Sequence, residues 1–279
     1  MKYLVTGDCH GNFSRFFNPT FLGDDDPANF GVIVLGDFGV NFYLNKTDKK
    51  NKRKLEKTGL TFFLVRGNHE ARPQHLPNIK CAFNHEIGGM TYFEEEFPHI
   101  HYLINNQIYT FGNYTALVIE GAYSVDKWYR LQRAGLTGNE DYEVMAKKAG
   151  WFADEQLSKS EMEWAEKVIV NKKVDFVFSH TCPFSWQPFD LFLGGIDQST
   201  VDHTMETWMD SLKDKFDWNI WLFGHFHDDR LERPHVEMYS TDIEDLDVIV
   251  ERWAEGNQPA WWLKKDPNYY MKGDCRWKV

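Results

Sequence analysis

The chain has 279 residues, 42% of them apolar, with 22 Phe, 12 Tyr and 11 Trp, which suits one large packed domain and excludes a disordered polymer. Its formal net charge of −11, from 42 acidic against 31 basic side chains, provides no global positive field to gather nucleic acid. Four scattered cysteines (Cys9, Cys81, Cys182, Cys275) form no C-x-x-C pair, and neither a signal-like apolar region nor a run approaching ~20 apolar residues is present, so the expected setting is cytoplasmic, with reduced thiols and no membrane span.

Leu4 to His10, L-V-T-G-D-C-H, reads as an apolar strand that stops at Gly7 and delivers Asp8 and His10 to its carboxyl end, two residues apart on one side of an extended backbone. A carboxylate beside an imidazole is a metal-ligand pair, although a short strand with a chance histidine has the same sequence. Asp24, Asp25 and Asp26 form a solvated acidic turn. Gly31 to Leu35, G-V-I-V-L, is a continuous apolar run of the kind buried on both faces of a parallel sheet, and it ends in Gly36-Asp37. The basic stretch Asn45 to Lys57 is expected as a solvated helix closed by Gly59, with a substrate-gathering surface as the alternative. Leu60 to Val65 is a third buried strand, followed by Arg66-Gly67-Asn68-His69-Glu70.

A strand and its connection recur about every thirty residues, as βαβ units require, and such sheets hold their ligands beyond the carboxyl ends of the strands. From Ile79 to Glu120 the pattern shortens to runs at Met90 to Glu94, His101 to Leu103, Ile108 to Phe111 and Tyr114 to Ile119, expected as antiparallel hairpins extending the layer. Gly121 to Gln156 lacks a strand period and has the character of a binding loop or lid. Ser160-x-x-Glu163 reads as a capping box that starts a helix over Ser160 to Asn171, with Trp164 expected in the core. Val174 to Ser179 is a strand ending at His180-Thr181-Cys182. Val201, Met205, Trp208 and Leu212 mark a second amphipathic helix, on which His203 is expected to be an ordinary surface histidine. Asn219 to Phe223 is the last clear core strand, ending at Gly224-His225-Phe226-His227, and one or two strands follow Val236. Trp261, Trp262, Tyr269 and Tyr270 in the polar tail are expected to pack on the sheet, a ring-stacking surface being the alternative.

The strand ends thus collect Asp8, His10, Asp37, Asn68, His180, His225 and His227. Carboxylate, amide oxygen and imidazole suit Mn²⁺, Fe, Zn²⁺ or Mg²⁺, and the lack of thiolates argues against a structural zinc cage. Seven donors exceed one tetrahedral ion and suit two metals sharing a carboxylate.

The ordered blocks G-D-C-H-G-N, G-D-F-G, G-N-H-E, S-H-T and G-H-F-H resemble the calcineurin-like metallophosphoesterase superfamily over about residues 1–240. The resemblance implies a four-layer α/β/β/α sandwich of two mixed sheets, taken as a single domain over 1–279 with 241–279 as an aromatic extension packed on it. It implies that Asp8, His10, Asp37 and His227 hold one metal and Asp37, Asn68, His180 and His225 the other, with Asp37 bridging and Mn²⁺ the expected ion. It also implies that His69 protonates the leaving oxygen while a metal-bridging hydroxide attacks in line, leaving Glu70 a supporting acid. In the similar Ser/Thr protein phosphatase branch the second block continues with an aspartate and an arginine; here Val40 and Asn41 stand there, so other residues must orient His69 and grip phosphate. Arg130 and Lys127, in a loop similar to one in bacterial and phage members, are the candidates, and Arg66 and Arg72 are expected to be structural. The expected substrate is a phosphate monoester on a small molecule, nucleotide or phosphoprotein. A phosphodiesterase or nuclease is the alternative within the class, and a non-catalytic scaffold the alternative outside it.

Overall fold

The computed structural model describes residues 1–17, 20–192 and 194–254. In chain order the elements are β1 (Lys2–Thr6), β2 (Phe30–Leu35), α1 (Lys46–Glu56), β3 (Thr61–Val65), β4 (Ile79–Asn84), β5 (Gly89–Glu94), β6 (Phe97–Leu103), β7 (Ile108–Phe111) and β8 (Tyr114–Ile119). They continue with α2 (Lys127–Arg133), α3 (Tyr142–Ala149), α4 (Lys159–Ile169), β9 (Lys173–Ser179), α5 (Thr204–Leu212), β10 (Asp217–Phe223), β11 (Arg230–Arg233), β12 (Val236–Met238), β13 (Ile243–Asp245) and α6 (Leu246–Trp253). One mixed sheet has the order β13-β1-β2-β3-β6-β5-β4 and the other β11-β12-β10-β9-β8-β7.

The period-2 alternation of each strand divides its side chains between two cores. On β2, Ile33 and Leu35 point into the space between the sheets, where they meet Phe63, Val65, Phe176, Phe178 and Leu222, while Val32 and Val34 face outward to Leu55 of α1. The second sheet repeats this: Val177, Trp221 and Phe223 face outward to Met162 of α4 and Met205 of α5. Two sheets with helices on their outer faces follow from strands that are apolar on both sides. The three parallel strands β1, β2 and β3, and the parallel pair β9 and β10, all bury their carboxyl-terminal halves completely. Among the described residues no helix is long and apolar enough to cross a membrane.

Several expectations are corrected. The hairpins after Ile79 do not all extend one layer: β4, β5 and β6 join the first sheet, whereas β7 and β8 form the edge of the second. The unassigned stretch Ile79 to Asn84 is itself a strand, mostly exposed, so it lacks the apolar run that would have marked it. α1 is not fully solvated, since Lys52 is buried in an ion pair with Glu94, and Asp48 is buried while accepting from the Tyr43 and Leu44 N–H groups. The 121–156 connection holds α2 and α3, whose short amphipathic faces close a local cluster of Leu131, Met145 and Trp151. Edge strand β11 and helix α6 fall outside the elements that the sequence pattern marks. The aromatic tail residues Trp261, Trp262, Tyr269 and Tyr270 lie outside the described residues, as does Cys275.

The capping box is Ser158 with Glu161, two residues earlier than expected. Ser158 Oγ accepts from the Glu161 N–H at 3.3 Å, and Glu161 Oε2 accepts from the Ser158 N–H at 2.7 Å. Met162, Ala165 and Ile169 form the buried face of α4, and about 100° of rotation per residue turns Trp164 away from it, leaving that ring 61% exposed.

Glu161 also pairs with Arg72, which ties the start of α4 to the segment after β3. Burial alone would raise this carboxyl, but the bonds from Arg72 and Ser158 outweigh it and hold it down at about 2. A folded-state pKa below the unfolded one contributes stability that is full above the ordinary glutamate range and is lost as pH falls from there toward 2. Glu161→Gln should therefore unfold at lower urea than wild type at pH 7, with the gap narrowing in acid; a gap independent of pH would contradict this account. Ser158→Ala should cost about 1 kcal/mol in the same measurement and Ser160→Ala much less.

Candidate metal centre

β1, β2 and β3 deliver Asp8, Asp37 and Asn68 just past their carboxyl ends, and β9 and β10 deliver His180 and His225 from the other sheet. The chain turns sharply there. His10 (φ 46°), Asp37 (49°), His225 (73°) and His227 (58°) all adopt the left-handed backbone region that non-glycine residues avoid. Glycines supply the clearance beside them. A Cβ on Gly67 would stand 2.0 Å from Asp37 Oδ1, and one on Gly36 2.0 Å from His180 Nδ1, so these two glycines mark places where two chain segments touch at a donor, while a Cβ on Gly7 would meet the Tyr239 backbone carbonyl.

The seven expected donors converge. His10 Nε2 and His227 Nε2 are 2.9 Å apart and lie 3.6 and 3.4 Å from Asp8 Oδ2. Asp37 Oδ2 lies 3.5 Å from His180 Nε2 and 3.9 Å from each of His10 Nε2 and His69 Nε2. Asn68 Oδ1 is 2.8 Å from His180 Nε2. His225 packs its ring edge-on to His180 at 5.0 Å and donates its backbone N–H to Asp8 Oδ1 at 2.8 Å. Ligand atoms of Asp8, His10 and His227 form one group within 4.8 Å, and those of Asp8, Asp37 and His180 another. Asp8 is common to both groups, while Asp37 Oδ2 lies between His10 and His180.

The donors fit cations. Asp8 and Asp37 are 4% and 1% exposed, yet Oδ2 of each has no hydrogen-bond partner. Their carboxyls stay ionised: burial opposes this, but His10 and His227 at Asp8, and His69 and His180 at Asp37, hold both pKa values below the ordinary range. His180 Nδ1 is 2.7 Å from the Leu35 carbonyl, so it carries a proton there and aims Nε2 at Asn68 Oδ1. Asn68 in turn spends its amide N–H on Ser124 Oγ at 2.8 Å. An imidazole lone pair facing an amide oxygen needs a positive charge between them. A proton answers that need here, since Asp37 outweighs burial and raises His180 to about 9. A divalent cation would answer it better.

The supporting layer was only partly legible. Ser124 Oγ donates to Glu155 Oε2 at 2.5 Å, and Glu155 Oε1 accepts the Ser124 N–H at 3.0 Å. This buried pair sets which way the Asn68 amide points. Ser124 stands in the G-A-Y-S segment, a usable signal; Glu155 lies 31 residues further on, with none. Glu70 is buried and accepts from the Gly39 N–H at 2.9 Å, as a supporting acid. Arg66 pairs with Glu120 at 3.3 Å and Arg72 with Asp154 at 3.2 Å, both structural. Asn41 is buried, its side-chain Oδ1 accepting from Tyr102 Oη at 3.5 Å and its backbone carbonyl from the Ala71 N–H. His69 Nδ1 is buried with no partner, while its backbone N–H donates to Asp37 Oδ1 at 2.8 Å.

A cleft of about 430 Å³ opens on His10, Asp37, Asn68, His69, His225 and His227. Arg130 lines it, pairing with Asp126 at 2.6 Å and donating to the Gly150 carbonyl at 3.0 Å. Lys127 Nζ lies instead over the Trp151 and Trp128 rings, at 4.3 and 4.9 Å. His203 is not an ordinary residue on the face of α5: it is the N-cap and lines the same cleft, because the helix begins one residue after it.

A ligand that binds only the folded state raises its stability by mass action, by about 2.7 kcal/mol at a hundredfold excess over Kd. Mn²⁺ added to chelator-stripped protein should accordingly raise the melting temperature. Ser124→Ala, which frees the Asn68 amide, should need roughly 10–100 times more Mn²⁺ for the same shift. An unshifted metal dependence in the variant would refute the orienting role.

The sequence pattern of calcineurin-like phosphoesterases matches residues 1–229. No curated protein matches the chain. Among solved structures, the crystal structure of phosphopantetheinyl hydrolase (PptH) from Mycobacterium tuberculosis is similar at 12% identity over 96% of this chain and 97% of that chain, with a TM-score of 0.38. The match over residues 1–229, on two mixed sheets that bring candidate metal ligands together at their strand ends, makes this chain a member of the calcineurin-like phosphoesterase family, and hence a phosphoric ester hydrolase.

Proposed function

We propose that the chain hydrolyses a phosphate monoester, with two divalent cations held by Asp8, His10, Asp37, Asn68, His180, His225 and His227 and with His69 as the acid at the leaving oxygen. The observation that carries this reading is the pair of buried, unpartnered carboxylate oxygens of Asp8 and Asp37 among imidazoles. When bound, two such cations lower the pKa of a shared water and neutralise phosphoryl oxygens, and the nitrogen and oxygen donor set suits Mn²⁺ first, with Fe, Zn²⁺ or Mg²⁺ as substitutes. The three described cysteines are unpaired, which supports a reducing, cytoplasmic setting.

The chain's own residues supply position and a proton. His69 is held by its backbone bond to Asp37, with Nε2 toward the cluster and Nδ1 sealed in the protein. Burial lowers its pKa despite the nearby Asp37. To serve as the acid the ring must carry a proton on both nitrogens in the substrate complex; the imidazolium then gives its Nε2 proton to the ester oxygen as the bond breaks and is left as neutral imidazole. Arg130, part-exposed in the same cleft, supports a grip on an unesterified phosphoryl oxygen, which favours a monoester over a diester. Lys127 does not line this cleft, its ammonium lying over the Trp151 and Trp128 rings.

The test is the rate of chelator-stripped protein, resupplied with Mn²⁺, on an aryl phosphate monoester and on the matching bis-aryl diester. Faster monoester turnover that a chelator abolishes is expected. Faster diester turnover would favour the phosphodiesterase or nuclease reading, and no turnover on either would leave the scaffold. His69→Asn should lower kcat by roughly 10²–10⁴-fold with bound metal unchanged. Arg130→Ala should raise KM or lower kcat for the monoester; unaltered kinetics would remove it from the phosphate.

A further inference from the structure

The cleft has a second half that the chemistry above does not use. Leu191, Phe192, Ile196, Val201 and Phe226 line it, and the rings of Phe192 and Phe226 are parallel to within 8°, with centroids 6.3 Å apart. Beneath this apolar lining are two buried polar side chains, Gln187 at 7% and Glu206 at 2% exposure, both facing the same cleft. Gln187 Oε1 and Glu206 Oε2 have no hydrogen-bond partner, although the other carboxylate oxygen of Glu206 accepts from Thr181 Oγ1 at 3.2 Å. A buried acceptor that the protein leaves without a donor destabilises a fold, so two of them on one cleft point to a ligand that brings the donors.

Resting on the monoesterase reading, we propose that this half of the cleft is the leaving-group subsite, and that it takes a flat apolar ring carrying N–H donors on one edge. The alcohol of the natural ester is then an aryl or heteroaryl group with an amino or amide substituent. Parallel phenyl faces and aliphatic neighbours suit a flat ring better than a polyol, whose hydroxyls would be stripped of water with nothing to accept them. Gln187 and Glu206 sit deeper and read the ring's edge. A site built around buried hydrogen-bonding groups discriminates strongly against an analogue that lacks the matching donor, because its own groups are then left unpaired.

Two measurements test this. In the first, 3-hydroxybenzamide, phenol and glycerol are titrated into metal-free wild-type protein and into Gln187→Leu and Phe192→Ala. Wild type should bind the amide about tenfold more tightly than phenol, and phenol more tightly than glycerol. Gln187→Leu, close in volume, should erase the first difference, and Phe192→Ala, at a part-exposed position, should shrink the second. In the second, kcat/KM with Mn²⁺ is compared for 3-carbamoylphenyl phosphate and phenyl phosphate. The ratio should fall about tenfold in Gln187→Leu relative to wild type, a comparison that cancels the intrinsic reactivity of the two leaving groups. Amide and phenol binding alike in wild type, or the same ratio in both proteins, would overturn the subsite. Absence of all hydrolysis would overturn the monoesterase reading instead, and the binding titration would still decide what this half of the cleft holds.

Discussion

Two carboxylates removed from water, Asp8 and Asp37, set the terms for everything around them. An isolated ionised carboxylate in a protein interior costs several kcal/mol unless charge and hydrogen bonds compensate. Here one oxygen of each is bonded by a backbone N–H from another strand end, Asp8 by His225 and Asp37 by His69, while the other oxygen faces imidazoles only. That arrangement is incomplete in a protein by itself and complete around cations. Much of the local sequence serves it: the left-handed backbone at four donor positions and the glycines that leave room for the donors beside them. Such conformations cost of order 1–3 kcal/mol each and persist only where surrounding structure over-determines them.

The sandwich supplies that over-determination. Five strands from two sheets end at one edge, and the inter-sheet core of Ile33, Phe63, Phe176 and Leu222 holds their ends in register. His180 shows how the two sheets are joined at the site. It leaves one sheet, donates to the Leu35 carbonyl of the other, and turns its remaining nitrogen to Asn68 and Asp37. The Ser124 and Glu155 pair then fixes the amide from a third direction, so that Asn68 has one way to point.

Where the chain departs from the Ser/Thr phosphatase pattern, the structure shows a redistribution. Val40 and Asn41 are buried and turned to packing, His69 Nδ1 has no carboxylate behind it, and the arginine in the cleft comes from α2. α2 and α3 are joined by a small cluster of their own and by Arg130, which donates to the Gly150 carbonyl at the end of α3. The segment between β8 and α4 therefore bears both an orienting residue, Ser124, and the cleft arginine, whereas the apolar half of the cleft is built from the connection between β9 and α5 together with Phe226, which follows β10.

By itself the sequence was enough for the buried strands, because a run such as G-V-I-V-L that ends in Gly-Asp carries both its burial and its stopping point locally. The positions of the candidate donors were legible for the same reason: each follows its own strand by one to four residues. The start of α4 was misplaced because two serines, each followed three residues later by a glutamate, compete for the cap, and only the packing of Met162, Ala165 and Ile169 chose between them. Assignment of β7 and β8 to the second sheet, the exposure of Trp164, the pairing of Ser124 with Glu155 and the place of His203 in the cleft were decided by the tertiary structure alone. The physical reason is range. Period, caps and turn glycines act over a few residues and can be read along the chain, whereas sheet partners, buried hydrogen bonds and cavity walls join residues dozens of positions apart, which only the packed fold brings together.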